Sequence, residues 1–242
     1  MKDPKIRLFV NAALQAGQAV ALNEAQANYL FNVMRLVRGG RVLLFNGQHG
    51  EWAAEVAEVG RRSGVLICTA QTAPPRSPPD LWLLFAPLKK ARTDFVVEKA
   101  VEMGAARICP VQTQHTNADR IRHDKMLAHV TEAAEQCGAT YVPQVDDLAP
   151  LDRVLKSWPS ERLLFWADEA LAGQSAPLSG PKGAASALLI GPEGGFSDTE
   201  KSRLRALPFV RPFALGPRTL RAETAAVAAL TLWQAAMGDW QC

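Results

Sequence analysis

The sequence predicts an α/β protein in which a small β-rich unit precedes a larger domain built on a largely parallel sheet. Three observations carry this prediction. The proline-rich segment T-A-P-P-R-S-P-P-D at residues 72–80 is typical of a linker. Short apolar strand patterns and the turn signal Asn46-Gly47 precede it, whereas apolar strands alternate with helical patterns after it. We therefore expect two domains, residues 1–72 and residues 73–242.

The sequence pattern of the first domain is mostly that of β-strands. We expect strands at Arg41–Phe45, Glu51–Val59 and Gly64–Ala70, which together suit a small β-barrel. One helix is expected near Glu24–Met34, and it should end before Gly39-Gly40.

The second domain should alternate strands and helices. Its expected strands are Leu81–Leu88, Ile108–Gln112, Leu163–Ala167, Ala187–Gly191 and Val210–Leu215. Its expected helices are Thr93–Met103, His123–Cys137 closed by Gly138, one started by the capping box at residues 197–200, and Ala222–Met237. The last helix is apolar on nearly every face, which indicates burial against both the sheet and a partner.

Composition limits the class of protein. No uninterrupted run of about eighteen apolar residues occurs, which excludes a membrane-spanning helix. The N-terminus lacks the long apolar segment of a signal peptide. The four cysteines form no CxxC pair, so we expect reduced thiols in a cytoplasm and no metal site.

Positive charge concentrates in the first domain. Residues 1–72 contain eight Lys/Arg against five Asp/Glu, while the remainder contains nineteen of each, so the net charge of +3 arises before the linker. A basic small unit beside a neutral larger one is typical of a phosphate-binding module attached to a catalytic domain. Ordinary surface charge is the alternative.

Two glycine-proline turns are the strongest candidates for a ligand site. L-L-I-G-P-E-G-G-F at residues 188–196 and F-A-L-G-P-R-T-L-R-A-E-T at residues 213–224 each run from an apolar strand into a turn and then a helix. Glycine lets the backbone approach a ligand, and ligands bind at the carboxyl ends of strands in α/β sheets. We expect the two turns to form walls of one pocket; tight connections without a ligand are the alternative.

Cations flank these turns. Arg218 and Arg221 lie near a helix start, where they are unfavourable unless an anion offsets them; the alternative is a salt bridge to Glu223 or Asp198. Lys89, Lys90 and Arg92 follow the first strand of the second domain directly, which suits a nucleic-acid backbone. Glu98, Lys99 and Glu102 read better as solvated pairs on a helix face. The glycine turns come too late in the domain for a dinucleotide-binding motif.

At this point the residues resemble a known family. The stretches I-G-P-E-G-G-F at residues 190–196 and L-G-P-R-T-L-R-A-E-T at residues 215–224 resemble the cofactor motifs of the small-subunit ribosomal RNA uridine-N3 methyltransferases. Further similarities are V-M-R at residues 33–35, L-F-N-G at residues 44–47 and E-Q-C-G at residues 135–138. The sequence departs from the family pattern at five positions. Tyr29 stands where the family usually has His, Met34 and Met103 stand where it has Leu, and His115 and Ala139 stand where Arg is expected.

The resemblance implies a fold and partners. The implied fold is α/β, a SPOUT-type trefoil-knotted parallel-sheet domain preceded by a small PUA-like β-barrel domain. The implied cofactor is S-adenosyl-L-methionine, and the implied partners are 16S rRNA in the small ribosomal subunit and a second copy of the chain, with no membrane and no metal.

The resemblance also implies site residues. Cofactor binding falls on Ile190, Gly191, Pro192, Glu193, Gly194, Gly195, Leu215, Gly216, Leu220 and Arg221. Arg221 is the candidate for stabilising a uridine anion or gripping its phosphate, and Glu193 or Glu223 is the candidate proton acceptor. Positive charge, rather than the resemblance, predicts RNA binding at Arg7 and Arg35 in the basic first domain and at Lys89 and Arg92 after the first strand of the second domain.

Three other functions compete with this interpretation. Another SPOUT enzyme would methylate a ribose 2′-hydroxyl or a tRNA base. A non-catalytic RNA-binding protein would retain the β-rich unit with a degenerate pocket. A phosphate- or nucleotide-binding α/β enzyme would bind ATP or NAD instead.

Overall fold

The computed structural model describes residues 6–117 and 121–240, and the chain divides into two compact units. The first unit comprises Met1–Ser77, as far as it is described, together with Ala134–Val142. The second comprises Pro78–Ala133 and Pro143–Cys242. The first unit therefore includes a segment that the sequence analysis assigned to the second domain, and the domain bounds 1–72 and 73–242 stay a prediction.

The first unit contains a five-stranded sheet. Its strands are β1 (Arg7–Phe9), β2 (Ala19–Leu22), β3 (Arg41–Phe45), β4 (Glu51–Val59) and β5 (Gly64–Ala73). Their order is β1-β3-β4-β5-β2, with β1 parallel to β3 and the other pairs antiparallel. The three predicted strands are confirmed. The short strands β1 and β2 lack a long apolar alternation, so the sequence does not predict them.

The predicted helix Glu24–Met34 is present in two parts. Helix α1 (Glu24–Ala27) begins at a capping box in which Asn23 and Gln26 exchange hydrogen bonds. It continues as a π-helical segment, Asn28–Val33, and Met34 N–H donates to the carbonyl of Tyr29 at 2.9 Å. The segment is followed by Arg35, whose φ of 56° lies in the left-handed region that bulky residues rarely adopt.

Arg7 explains why Ala134–Val142 belongs to the first unit. Its Nη1 donates to the carbonyls of Ala134 at 2.6 Å and Glu135 at 3.0 Å, and its Nη2 donates to Ala139 at 2.8 Å. The backbone N–H of Phe9 donates to Glu135 Oε1 at 2.9 Å. Contacts between residues so far apart in sequence leave no local pattern.

The second unit is built on a parallel sheet. Its strands are β6 (Leu81–Phe85), β7 (Arg107–Gln112), β8 (Gln144–Val145), β9 (Ala149–Pro150), β10 (Leu163–Ala167), β11 (Ser186–Ile190) and β12 (Val210–Phe213). The order is β12-β10-β11-β6-β7-β8, β9 also pairs with β7, and every pairing is parallel. β11 is buried at all five positions, as expected for a strand covered on both faces.

Helices connect these strands. They are α2 (Lys90–Glu102), α3 (His123–Cys137), α4 (Leu151–Lys156), α5 (Asp198–Ala206) and α6 (Ala222–Ala236), with a short 3-10 turn at Glu169–Leu171. The predicted capping box is confirmed, since Ser197 and Glu200 exchange hydrogen bonds at the start of α5. Gly138 follows α3 with φ of 81°, as a C-terminal cap requires. Within the described ranges no helix is long and apolar enough to cross a membrane.

The order of the strands in the sheet places three carboxyl ends side by side. The five predicted strands are confirmed, although β6 stops before Pro87 and β12 stops before the second glycine turn. β10 lies between β11 and β12 in the sheet. Because parallel strands end at the same edge, the turns after β10, β11 and β12 are neighbours there.

Candidate functional site

A cavity of about 290 Å³ lies at the carboxyl ends of β10, β11 and β12. Both glycine-proline turns contribute to its wall, as does the start of α6. Of the ten residues predicted to bind a cofactor, the wall includes Ile190, Gly191, Pro192, Glu193, Gly195, Leu215, Gly216, Leu220 and Arg221. The structure thus brings the two sequence motifs to one cavity.

The remaining predicted residue, Gly194, lies beside the cavity wall and contacts His115. The Nδ1 atom of His115 is 3.0 Å from the carbonyl oxygen of Gly194 and 3.2 Å from that of Gly195. Because carbonyl oxygens only accept hydrogen bonds, Nδ1 is the protonated nitrogen and donates to the turn. The histidines carried no recognisable pattern in the sequence, so this contact was missed.

Glycine is required at Gly195 for two reasons. Its φ of 66° lies in the left-handed region, and an added Cβ would come within 2.6 Å of Glu169 Oε1. Gly216 in the second turn has φ of 93°, but there no atom lies within 4 Å of the Cβ position. The first turn is therefore closely packed, whereas the second has open space beside its glycine.

The two arginines of the second turn are not neutralised. Arg221 is the N-cap residue of α6 and makes no side-chain capping bond. In the described part of the chain, neither Arg218 nor Arg221 forms an ion pair, and both are exposed. The alternative of salt bridges to Glu223 or Asp198 is therefore wrong here. Two cations at a helix N-terminus present positive charge to the cavity mouth.

Arg92 neutralises the carboxylates of the site. Its Nη1 donates to Glu193 Oε1 at 2.6 Å, and its Nε lies 3.5 Å from Glu223 Oε1. The second oxygen of Glu223 is buried and has no hydrogen-bond partner within the described residues. Arg92 was predicted to bind RNA, but the structure places its guanidinium between two acids.

The end of β10 forms a third wall of the cavity, which the sequence did not predict. Trp166 and Asp168 line it at the carboxyl end of β10. The buried Asp168 accepts from Arg205 Nη2 at 2.9 Å and from the N–H of Ala170 at 3.0 Å. The indole N–H of Trp166 is buried without a partner among the residues described. The signal was available, since the strand was predicted and ligands bind at strand ends.

The predicted RNA-binding residues differ in how far their side chains are exposed. Arg35 and Lys89 are exposed. The side chain of Arg7 is only 11% exposed, pairs with Glu51 at 2.6 Å and lies over the ring of Phe45. Because these contacts and the carbonyl contacts described above occupy the guanidinium, we correct the RNA-binding prediction for Arg7 to an internal structural role.

Two of the cysteines, Cys68 and Cys109, are buried. Burial raises the pKa of the Cys68 thiol and also that of Cys109, where the nearby carboxylate of Asp146 adds to the effect. A thiol with a raised pKa is a poor nucleophile. No cluster of three or more His, Cys, Asp or Glu residues suited to a metal occurs in residues 6–117 and 121–240.

Fold and cavity together define a class of protein. The parallel sheet has a cavity at its carboxyl edge, and the chain also contains a small β unit. This is the arrangement that the family resemblance implies. A family model described as an RNA methyltransferase domain matches residues 75–234, and one described as an RNA methyltransferase PUA domain matches residues 22–67.

Individual relatives specify the family. A protein of Synechocystis sp. named ribosomal RNA small subunit methyltransferase E is 31% identical over 222 residues, which cover 87% of this chain and 71% of the relative. The chain belongs to this family of RNA methyltransferases. The resemblance and the predicted fold class, a parallel-sheet domain with a PUA domain, are confirmed, while the knot stays a prediction.

Two solved structures are similar over nearly the whole chain. A methyltransferase of Legionella pneumophila, in complex with S-adenosylmethionine, is 31% identical with a TM-score of 0.83, and the match covers 97% of this chain and 98% of that one. Ribosomal RNA small subunit methyltransferase E of Neisseria gonorrhoeae, bound to S-adenosylmethionine, is 25% identical with a TM-score of 0.85, covering 98% and 99%.

Proposed function

We propose that this protein transfers a methyl group from S-adenosylmethionine to N3 of one uridine in the 16S rRNA of the small ribosomal subunit. The observation that carries the proposal is the cavity walled by both glycine turns at the carboxyl ends of β10–β12. Similar structures hold S-adenosylmethionine, and the relatives are named for the small ribosomal subunit. The choice of uridine N3 rests on the motif resemblance.

The residues present fit this cofactor. The cavity of about 290 Å³ is near the lower end of small-molecule sites, about 300–1,000 Å³. Ile190, Leu215 and Leu220 supply apolar surface for an adenine ring, and the open space beside Gly216 admits a ligand close to the backbone. When bound, S-adenosylmethionine supplies a methyl group carried on a positively charged sulfur.

The role proposed for Arg221 is to stabilise the uridine as an anion. Uridine N3 carries a proton and is normally paired, so the base must be exposed and the proton removed. The Arg221 guanidinium lines the cavity mouth and has no ion pair among the described residues, so it is free to offset the negative charge. The N3–carbon bond then forms as the carbon–sulfur bond breaks.

The role proposed for Glu193 is to accept the N3 proton. Glu193 lines the cavity and is partly exposed, whereas Glu223 is not part of the wall and its free oxygen is buried. Substrate can therefore reach the carboxylate of Glu193 more readily. The proton passes from N3 to this carboxylate and then to water.

RNA docking is proposed for Arg35 and Lys89. Both side chains are exposed, and Lys89 is the N-cap residue of α2, where the helix N-terminus adds positive potential. Phosphate contacts of this kind fix the position of the RNA and weaken as salt rises.

The same proposal includes four further expectations. They are the domain bounds 1–72 and 73–242, the knot, a cytoplasmic location and reduced thiols.

A homodimer is also proposed. Leu232 on α6 is 44% exposed, although most apolar residues of this helix are buried. An apolar groove runs beside it along Pro177 and Leu178. A second copy of the chain would cover this apolar surface.

The proposal is tested by transfer of a labelled methyl group from S-adenosylmethionine to small ribosomal subunits from a strain that lacks the gene. We expect label on N3 of one uridine, located by digestion and mass spectrometry. Label on a ribose hydroxyl or on tRNA would replace the proposed substrate. Calorimetry that detects no S-adenosylmethionine binding would leave a non-catalytic RNA-binding protein as the surviving function.

A further inference from the structure

Arg92 joins two segments of the cavity that are distant in sequence. It lies in the first turn of α2, and its two ion-pair partners lie in different places: Glu193 in the turn after β11, and Glu223 in the first turn of α6. The guanidinium is planar, so its Nη1 and Nε hold the two carboxylates in a fixed relation. The turn after β11 and the start of α6 are therefore connected through one side chain.

The three charges of Arg92, Glu193 and Glu223 stabilise this part of the site only when all three are present. A cation in the first turn of a helix opposes the helix dipole, and the N-cap residue Lys89 makes no side-chain capping bond. The carboxylates of Glu193 and Glu223 offset the guanidinium. Without Arg92 the two acids would face one another with no cation between them, and they would repel.

We propose that Arg92 is a positioning residue for S-adenosylmethionine binding, which acts by holding the turn of Glu193 and the start of α6 at the spacing that the cofactor requires. The inference rests on the proposed function, since the cavity must be the cofactor site. An RNA phosphate would have to displace two carboxylates from Arg92, so a direct RNA contact is the weaker interpretation of this residue.

The experiment measures S-adenosylmethionine affinity by calorimetry with no RNA present. Arg92→Gln removes the charge and should raise Kd about tenfold, a typical coupling between residues in contact. Arg92→Lys should recover part of this loss, because an ammonium still neutralises the two carboxylates. Lys90→Ala is the matched control: Lys90 is an exposed cation in the same helical turn, and its loss should leave Kd unchanged.

A double variant tests the path through Glu223. If Arg92 acts by compensating this partly buried carboxylate, then Arg92→Gln with Glu223→Gln should bind the cofactor better than Arg92→Gln alone. Additive losses would overturn the proposed path. Thermal unfolding of each variant, compared with the wild type, separates a local effect on the cavity from a loss of folding.

Salt dependence of RNA binding distinguishes the competing role. A phosphate contact would leave cofactor affinity at the wild-type value and reduce the salt slope of RNA binding by about one; that result overturns the inference and leaves the proposed function standing. If the wild-type protein itself fails to bind S-adenosylmethionine, the proposed function fails, and the inference falls with it.

Discussion

Replacing Gly195 by alanine adds one methyl group to the closely packed turn after β11. The left-handed conformation at φ of 66° costs a residue with a Cβ about 1–2 kcal/mol. The new Cβ would also come within 2.6 Å of Glu169 Oε1, so this carboxylate must move. Glu169 is 53% exposed and pairs with Lys201 at 3.2 Å, an exposed pair whose loss costs about 0–1 kcal/mol.

The expected result is a loss of about 1–3 kcal/mol of unfolding free energy together with weaker cofactor binding. Affinity falls because Gly195 and Glu169 both line the cavity, so a displaced carboxylate changes its wall. Urea unfolding followed by circular dichroism measures the first quantity, and calorimetry with S-adenosylmethionine measures the second.

Gly183→Ala is the control for the backbone effect. Gly183 has a similar φ of 73°, no atom lies within 4 Å of its Cβ position, and it does not line the cavity. It should lose about 1–2 kcal/mol of stability and keep full cofactor affinity. The reasoning is refuted if Gly195→Ala binds as tightly as the wild type, or if Gly183→Ala weakens binding equally.

Three further substitutions test other parts of the molecule. Arg221→Ala should lower kcat by about 100-fold at saturating RNA, as loss of one charge-stabilising donor does; full turnover in the methyl-transfer assay would remove the proposed role. Arg7→Ala should lose about 2–4 kcal/mol in urea unfolding, because it leaves Glu51 and three carbonyls without their donor; wild-type stability would contradict the internal role. Leu232→Glu should shift sedimentation from dimer to monomer, since a buried charge opposes association; an unchanged sedimentation coefficient would exclude this face.

The sequence predicted what depends on neighbouring residues. The capping box at Ser197, the cap at Gly138 and five of the seven strands of the second unit follow from short patterns and are present, whereas the two-residue strands β8 and β9 were not predicted. Both glycine turns were found for the same reason, because glycine and proline restrict the backbone within a few residues. The cavity followed once both turns were placed at the carboxyl edge of one sheet.

Contacts between distant residues could not be predicted in this way. Arg7 carries the same charge as an RNA-binding arginine, and only the fold shows that carbonyls more than 120 residues away receive its hydrogen bonds. Asp168 follows a predicted strand, but its partner Arg205 lies on a helix formed 37 residues later. Charge alone gave no means to separate buried from exposed arginines.

The cations around the cavity differ in what they can offer a substrate. Arg92 was predicted with Lys89 and Lys90 to suit a nucleic-acid backbone, yet its charge is offset by Glu193 and Glu223. Arg218 and Arg221 lack ion pairs in the described ranges and stand at the uncapped start of α6. Within the cavity wall, positive charge without an ion pair among the described residues therefore comes from the second turn, whereas Glu193 of the first turn is paired with Arg92. We therefore expect a substitution at Arg92 to weaken cofactor binding measured with no RNA present, and Arg221→Ala to lower turnover at saturating RNA.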